Sequence, residues 1–154
     1  MKKIVTLLAL FCIAASLSAA ETAAKNLLTG KWQLSPNLTS QVDPKTKDVT
    51  FTSQSADKPW ITQINFVAEA GATYVFEAVL TGITDTKYLS VRVRFNKERQ
   101  NVTPVVQPDK SMLLKAEFTV PADTKRPNIS IWRGKPVMGE KVVLSKYSVK
   151  KINK

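Results

Sequence analysis

Histidine is absent from all 154 residues, and the single cysteine, Cys12, lies inside an N-terminal apolar run. Without an imidazole there is no Ser-His-Asp or Cys-His triad, and the ligands of the usual zinc and copper sites are missing too. One cysteine closes no internal disulfide, so burial of apolar side chains has to hold the fold. Glycine is scarce: five residues scattered singly, which leaves no phosphate-cradling loop. Carboxylates are also few, 12 against 23 Lys and Arg. Glycoside hydrolysis needs two of them placed together, and Glu69, Asp85, Asp109 and Asp123 fall in turn-like stretches where acids are ordinary. Glu77 and Glu117 lie on strand-like segments in the solvent phase, positions that need no catalytic role. Nothing among the residues argues for an enzyme, and no cofactor or metal is expected.

The first twenty residues read as a secretory leader. Lys2 and Lys3 precede an apolar stretch from Ile4 to Ala15, too short to span a bilayer as a stable helix. Ser18-Ala19-Ala20 then supplies the small residues of a cleavage site, which places the mature start near Glu21. A lipoprotein reading of Cys12 fits poorly, because Phe11 precedes it and the apolar run continues beyond it. The expected organisation is a leader over 1–20 and one domain over 21–154, exported to the periplasm or the medium. No later run is apolar and long enough to cross a membrane.

What is present is alternation, the period-two signature of half-buried strands. Trp60, Thr62, Ile64 and Phe66 share one phase, with Ile61, Gln63, Asn65 and Val67 on the other. Tyr74, Phe76, Ala78 and Leu80 repeat the pattern after a turn at Glu69-Ala70-Gly71-Ala72. Leu89, Val91, Val93 and Phe95 oppose Tyr88, Ser90, Arg92 and Arg94; Leu114, Ala116, Phe118 and Val120 oppose Lys115, Glu117 and Thr119. Ile129 and Ile131 oppose Asn128, Ser130 and Trp132, and a last strand runs from Lys141 to about Ile152. Shorter strands are expected at Lys31–Leu34 and Asp48–Ser53, with polar loops between these two and over Asn96–Lys110. Seven to nine strands without crossover helices imply an all-β antiparallel sandwich.

The formal charge of +11 has two readings. One is a solvated surface; the other is attraction to an acidic partner: an anionic glycan, an envelope surface or, least fitting for an exported chain, nucleic acid. Lys146, Lys150, Lys151 and Lys154 crowd the C-terminus.

The segments Lys58-Pro59-Trp60-Ile61-Thr62-Gln63-Ile64 and Ala70-Gly71-Ala72-Thr73-Tyr74-Val75-Phe76-Glu77-Ala78-Val79-Leu80 resemble carbohydrate-binding modules of the family 4/9/22 type. Asn26-Leu27-Leu28, Phe118-Thr119-Val120-Pro121-Ala122-Asp123 and Ile129 to Gly134 are similar to other parts of those modules, in the same order along residues 25 to 152. The resemblance implies a galactose-binding-like jelly roll with one concave sheet that cradles a glycan, and no catalysis. It also implies a structural calcium between the opening and the last strand. Here the acidic residues for that ion are missing: Thr29-Gly30-Lys31-Trp32 follows the opening, and the last strand reads Val143-Leu144-Ser145-Lys146-Tyr147.

Sugars present apolar C–H faces and polar rims, so their sites pair exposed aromatics with amides, carboxylates and guanidinium groups. Trp132, in phase with Asn128 and Ser130, fits stacking or edge packing. Trp60 matches a sugar-contacting position of the resembling modules, while its phase puts it in the core unless a bulge intervenes. Gln63 and Asn65 suit hydroxyl contacts. Arg92, Arg94 and Tyr88 are either a solvated face or a grip for an acidic sugar. Trp32 reads as a core plug. The leading expectation is a polysaccharide- or oligosaccharide-binding domain, and the rival is a protein-interaction or envelope-associated sandwich without a sugar site. The fold alone does not choose between them.

Overall fold

The computed structural model describes residues 25–152 except Thr84 and Lys97, so the leader, Cys12 and Lys154 lie outside the described residues. The chain forms β1 (Leu28–Leu34), β2 (Leu38–Val42), β3 (Val49–Ser53), β4 (Trp60–Phe66), β5 (Thr73–Thr81), β6 (Leu89–Arg94), β7 (Arg99–Val102), β8 (Val105–Val106), β9 (Met112–Thr119), β10 (Asn128–Arg133) and β11 (Lys141–Lys151). One 3-10 turn, Thr86–Tyr88, is the only helical element among the described residues.

Two antiparallel sheets result, ordered β1-β4-β10-β6-β7 and β2-β3-β11-β5-β9-β8. This is the antiparallel sandwich that the alternation implied and the jelly roll that the resemblance implied. The stretches read as loops hold three further strands, β2, β7 and β8. Their pattern is weak for a physical reason: all three lie at or beside a sheet edge. In β7 only Val102 is buried, at 3% exposure, and Arg99, Gln100 and Asn101 are polar in both phases.

The core sits between the sheets and is aromatic at both ends. Toward one end Phe66, Tyr74, Phe95 and Phe118 meet with ring centroids 5.6–6.2 Å apart. Toward the other, Trp60 and Trp32 pack on Phe51 at 6.3 and 5.3 Å, and Trp32 meets Tyr147 edge-on at 6.0 Å. Aliphatic residues such as Ile64, Leu80, Val91, Ile129, Ile131 and Leu144 fill the layer between them. Burying each stabilises by about 1.5–3 kcal/mol, which a chain lacking a disulfide needs.

Polar side chains fasten the ends. The Asn26 amide donates to the Tyr147 carbonyl at 3.1 Å and accepts from the Val149 amide at 3.1 Å and the Leu28 amide at 3.2 Å. The opening segment is thereby tied to the last strand beside its bulge between Ser145 and Ser148. At the opposite pole of β10, Arg133 points inward, yet only 5% of it is exposed. Its guanidinium is satisfied by both carboxylate oxygens of Glu140, at 3.2 and 2.9 Å, and by the Asp85 carbonyl at 2.9 Å.

Candidate functional site

The outward residues of the five-stranded sheet form a grid set by strand register. Thr29, Asn65, Asn128, Arg94 and Arg99 make one row across β1, β4, β10, β6 and β7. Gln33, Gln63, Ser130, Arg92 and Asn101 make the next. Ile61, Trp132 and Ser90 make a third. Of the residues singled out in the sequence, Trp132, Gln63, Asn65, Arg92 and Arg94 therefore share one face, while Tyr88, expected in the same strand phase, lies in the 3-10 turn just before β6.

Trp60 does not join them. It is 1% exposed, in the core beside Phe51, and β4 runs in unbroken register against β10 from Trp60 to Asn65. No bulge turns it outward, so the phase reading holds over the resemblance. Trp32 is half-buried against Phe51 and Tyr147.

Trp132 is half-buried at the centre of its row. The far edge of its benzo ring lies over Gly134: a Cβ built on that glycine would stand 2.4 Å from Cη2, 2.9 Å from Cζ3 and 3.1 Å from Cζ2 of the indole. Gly134 itself is pinned, its amide donating to the Tyr88 carbonyl at 2.7 Å. Its backbone is not left-handed, so room for the indole is what calls for glycine here. Beside it the Tyr88 ring carries Lys135 Nζ at 4.8 Å and Lys87 Nζ at 5.5 Å from its centroid.

A hollow of about 210 Å³ adjoins this row, lined by Gln33, Leu34, Ser35, Ile61 and Gln63. A larger one, about 490 Å³, lies among the loop residues Pro36, Asn37, Gln54, Ser55, Lys58 and Pro59. It is a wide opening among loops, whereas the smaller hollow abuts the indole's row through Ile61, so the smaller one belongs to the candidate site.

The polar groups of the face are only partly engaged with one another. Gln63 Nε2 donates to Gln33 Oε1 at 2.7 Å, and Thr29 Oγ1 to the Asn65 carbonyl at 3.4 Å. Asn128 Oδ1 and Arg92 Nε are buried atoms without a hydrogen-bond partner. None of the outward positions of β1, β4, β10, β6 or β7 is Asp or Glu. The ion pairs found among the described residues, Lys115–Glu77, Arg133–Glu140 and Lys151–Glu69, involve none of the face's arginines.

Two residues of this face escaped the sequence reading, Arg99 and Asn101, because the polar edge strand that carries them lacks an alternating signal. The acids Glu77 and Glu117 lie on the other sheet. Glu77 sits opposite Lys115 and pairs with it at 2.7 Å, and Glu117 sits opposite Val75.

No protein-family model and no curated protein matches the chain. Solved structures do. The N-terminal cellulose-binding domain of Cellulomonas fimi β-1,4-glucanase C superposes with a TM-score of 0.50 at 15% identity, over 80% of this chain and 90% of that one. A CBM4 structure gives 0.50 at 12% identity, over 79% and 78%. The enzymatically active domain of bacteriophage CBA120 tailspike protein 4 gives 0.52 at 11% identity; 85% of this chain is matched, against 20% of the tailspike chain. At such identities the likeness is one of fold: this chain is a jelly-roll sandwich similar to carbohydrate-binding modules.

Proposed function

We propose that this chain is an exported, non-catalytic glycan-binding domain whose ligand lies across the outer face of the five-stranded sheet. The observation that carries the reading is the setting of Trp132: a half-buried indole on a polar face, seated over Gly134, with amides, a hydroxyl and guanidinium groups in register around it. An indole offers its π-face to the C–H face of a pyranose, and Gln63 and Asn65 offer bonds to its hydroxyl rim. The Arg92 and Arg94 side chains extend the reading to acidic glycans, and the leader-like N-terminus accords with export.

Isothermal titration against a panel of neutral and acidic polysaccharides tests it. Binding of at least one member is expected, weakened about tenfold or more by Trp132→Ala, the loss typical of a buried aromatic anchor. Absence of binding across the panel, or binding indifferent to Trp132→Ala, overturns the reading in favour of a sandwich that docks a protein or the cell envelope.

A further inference from the structure

Within that glycan site, on which the following rests, the face is chemically polarised. At one end stands the indole with Ile61 and Ser90, beside the Tyr88 ring that carries Lys87 and Lys135. At the other, Arg94 lies directly opposite Arg99 across β6 and β7, and directly opposite Asn128 across β6 and β10. Arg92 lies one step along β6 on the same face, between Ser130 and Asn101. From Trp132 to Asn128 is four strand positions, roughly 13 Å at about 3.3 Å per residue.

Like charges directly opposite on neighbouring strands destabilise a sheet. The chain nevertheless sets Arg94 against Arg99 and adds Arg92, with no carboxylate at any outward position of the sheet to offset them. These guanidinium groups are also uncommitted: no ion pair takes Arg92, Arg94 or Arg99 among the described residues, and Arg92 Nε has no hydrogen-bond partner. A planar carboxylate or a sulfate takes paired N–H donors from guanidinium.

We infer that the ligand is an anionic saccharide bound with fixed polarity, its uncharged ring face on Trp132 and a carboxylate or sulfate some sugar units away between Arg94, Arg99 and Arg92. The indole at one end and the clustered guanidinium groups at the other give the site a reading direction along the glycan. Stacking supplies affinity for sugars in general, and the arginine end selects those with an acid at the right remove.

The test uses the mature chain, oligogalacturonates and their fully methyl-esterified forms, which keep the rings and remove the charge. A second pair, dextran sulfate and dextran, separates sulfate from carboxylate. The wild type is expected to bind one acidic form at least about tenfold more tightly than its neutral counterpart. Arg94→Gln with Arg99→Gln is expected to abolish that preference, bringing the affinity for the acidic form down to that for its neutral counterpart. Trp132→Ala is expected to weaken acidic and neutral forms by similar factors. Equal binding of charged and neutral forms by the wild type, or a preference that survives the double arginine variant, overturns the polarity and leaves the glycan reading standing. Failure of all four polymers to bind, with another polysaccharide of the panel bound, overturns the anionic ligand and leaves the glycan reading standing; failure across the whole panel overturns both.

Discussion

Gly134 illustrates how one residue without a side chain shapes a surface. Alanine meets no backbone objection there, but its methyl would occupy the volume of the Trp132 benzo edge, 2.4 Å from Cη2. Gly134→Ala is therefore expected to push the indole off its seat. Sugar affinity should fall about tenfold, and indole emission should shift as its packing changes. The melting temperature should move little, because the displaced ring lies on the outer face. Affinity unchanged in Gly134→Ala, with Trp132→Ala impaired, would show that the indole binds without this seat. Trp60 teaches the converse. Its sequence context matched a sugar-contacting position, but phase within the strand decided its fate, since inward positions of a sandwich are core whatever their residue type.

At the scale of elements, the fold is fastened by polar groups at strand ends as well as by the apolar layer. Arg133 reaches inward at the end of β10 and clasps Glu140 just before β11, with side-chain exposures of 6% and 12%. Glu140→Gln leaves the guanidinium charge buried without its counter-ion, and a loss of about 3–5 kcal/mol is expected in urea unfolding. A change below about 1 kcal/mol would mean the pair does not hold these strands together. Two hairpin turns depend on carboxylates: Asp43 accepts from the Lys45 and Thr46 amides at 2.7 and 2.9 Å, and Asp109 from the Ser111 amide and hydroxyl at 2.9 and 2.6 Å. The backbone amides of Thr46 and Lys45 hold the Asp43 carboxyl below its ordinary value of 3.8, and the Ser111 hydroxyl and amide do the same for Asp109. In acid the unfolded chain then binds more protons than the native one. What these turns contribute is full above 3.8 and is lost as the pH falls through their lower native values. Unfolding midpoints recorded from about pH 5 down to about pH 2 should decline, and Asp109→Asn should flatten part of that decline. An unchanged slope in the variant would contradict the assignment.

Strands with one dry face were legible in the sequence, because each writes its burial as alternation: β4, β5, β6, β9 and β10 lie where the pattern put them. Strands β2, β7 and β8 were not legible, since an edge or near-edge strand with both faces wet leaves nothing periodic to read. The candidate face was half legible for the same reason. Gln63, Arg92 and Trp132 could be assigned to polar phases, but that those phases belong to one sheet depends on which strands pair, and pairing between strands far apart in sequence is not a local property of the chain.

For the molecule as a whole, the two outer faces differ in charge. The outer face of the six-stranded sheet carries Glu77 and Glu117 along with Lys115, Lys141 and Lys150, whereas that of the five-stranded sheet carries arginines and no acid. The face that holds Trp132 is thus the one whose cations no carboxylate on the same face offsets. The central claim is that a saccharide lies on this face. It is tested most directly by backbone amide shifts of the labelled protein during titration with an oligosaccharide found to bind. The account predicts shifts grouped at Gln63, Asn65, Arg92, Ser130 and Trp132, with the core around Trp60 and the outer face of the six-stranded sheet unmoved. Shifts grouped instead on β5 and β9, or in the loop hollow around Asn37 and Lys58, would contradict it.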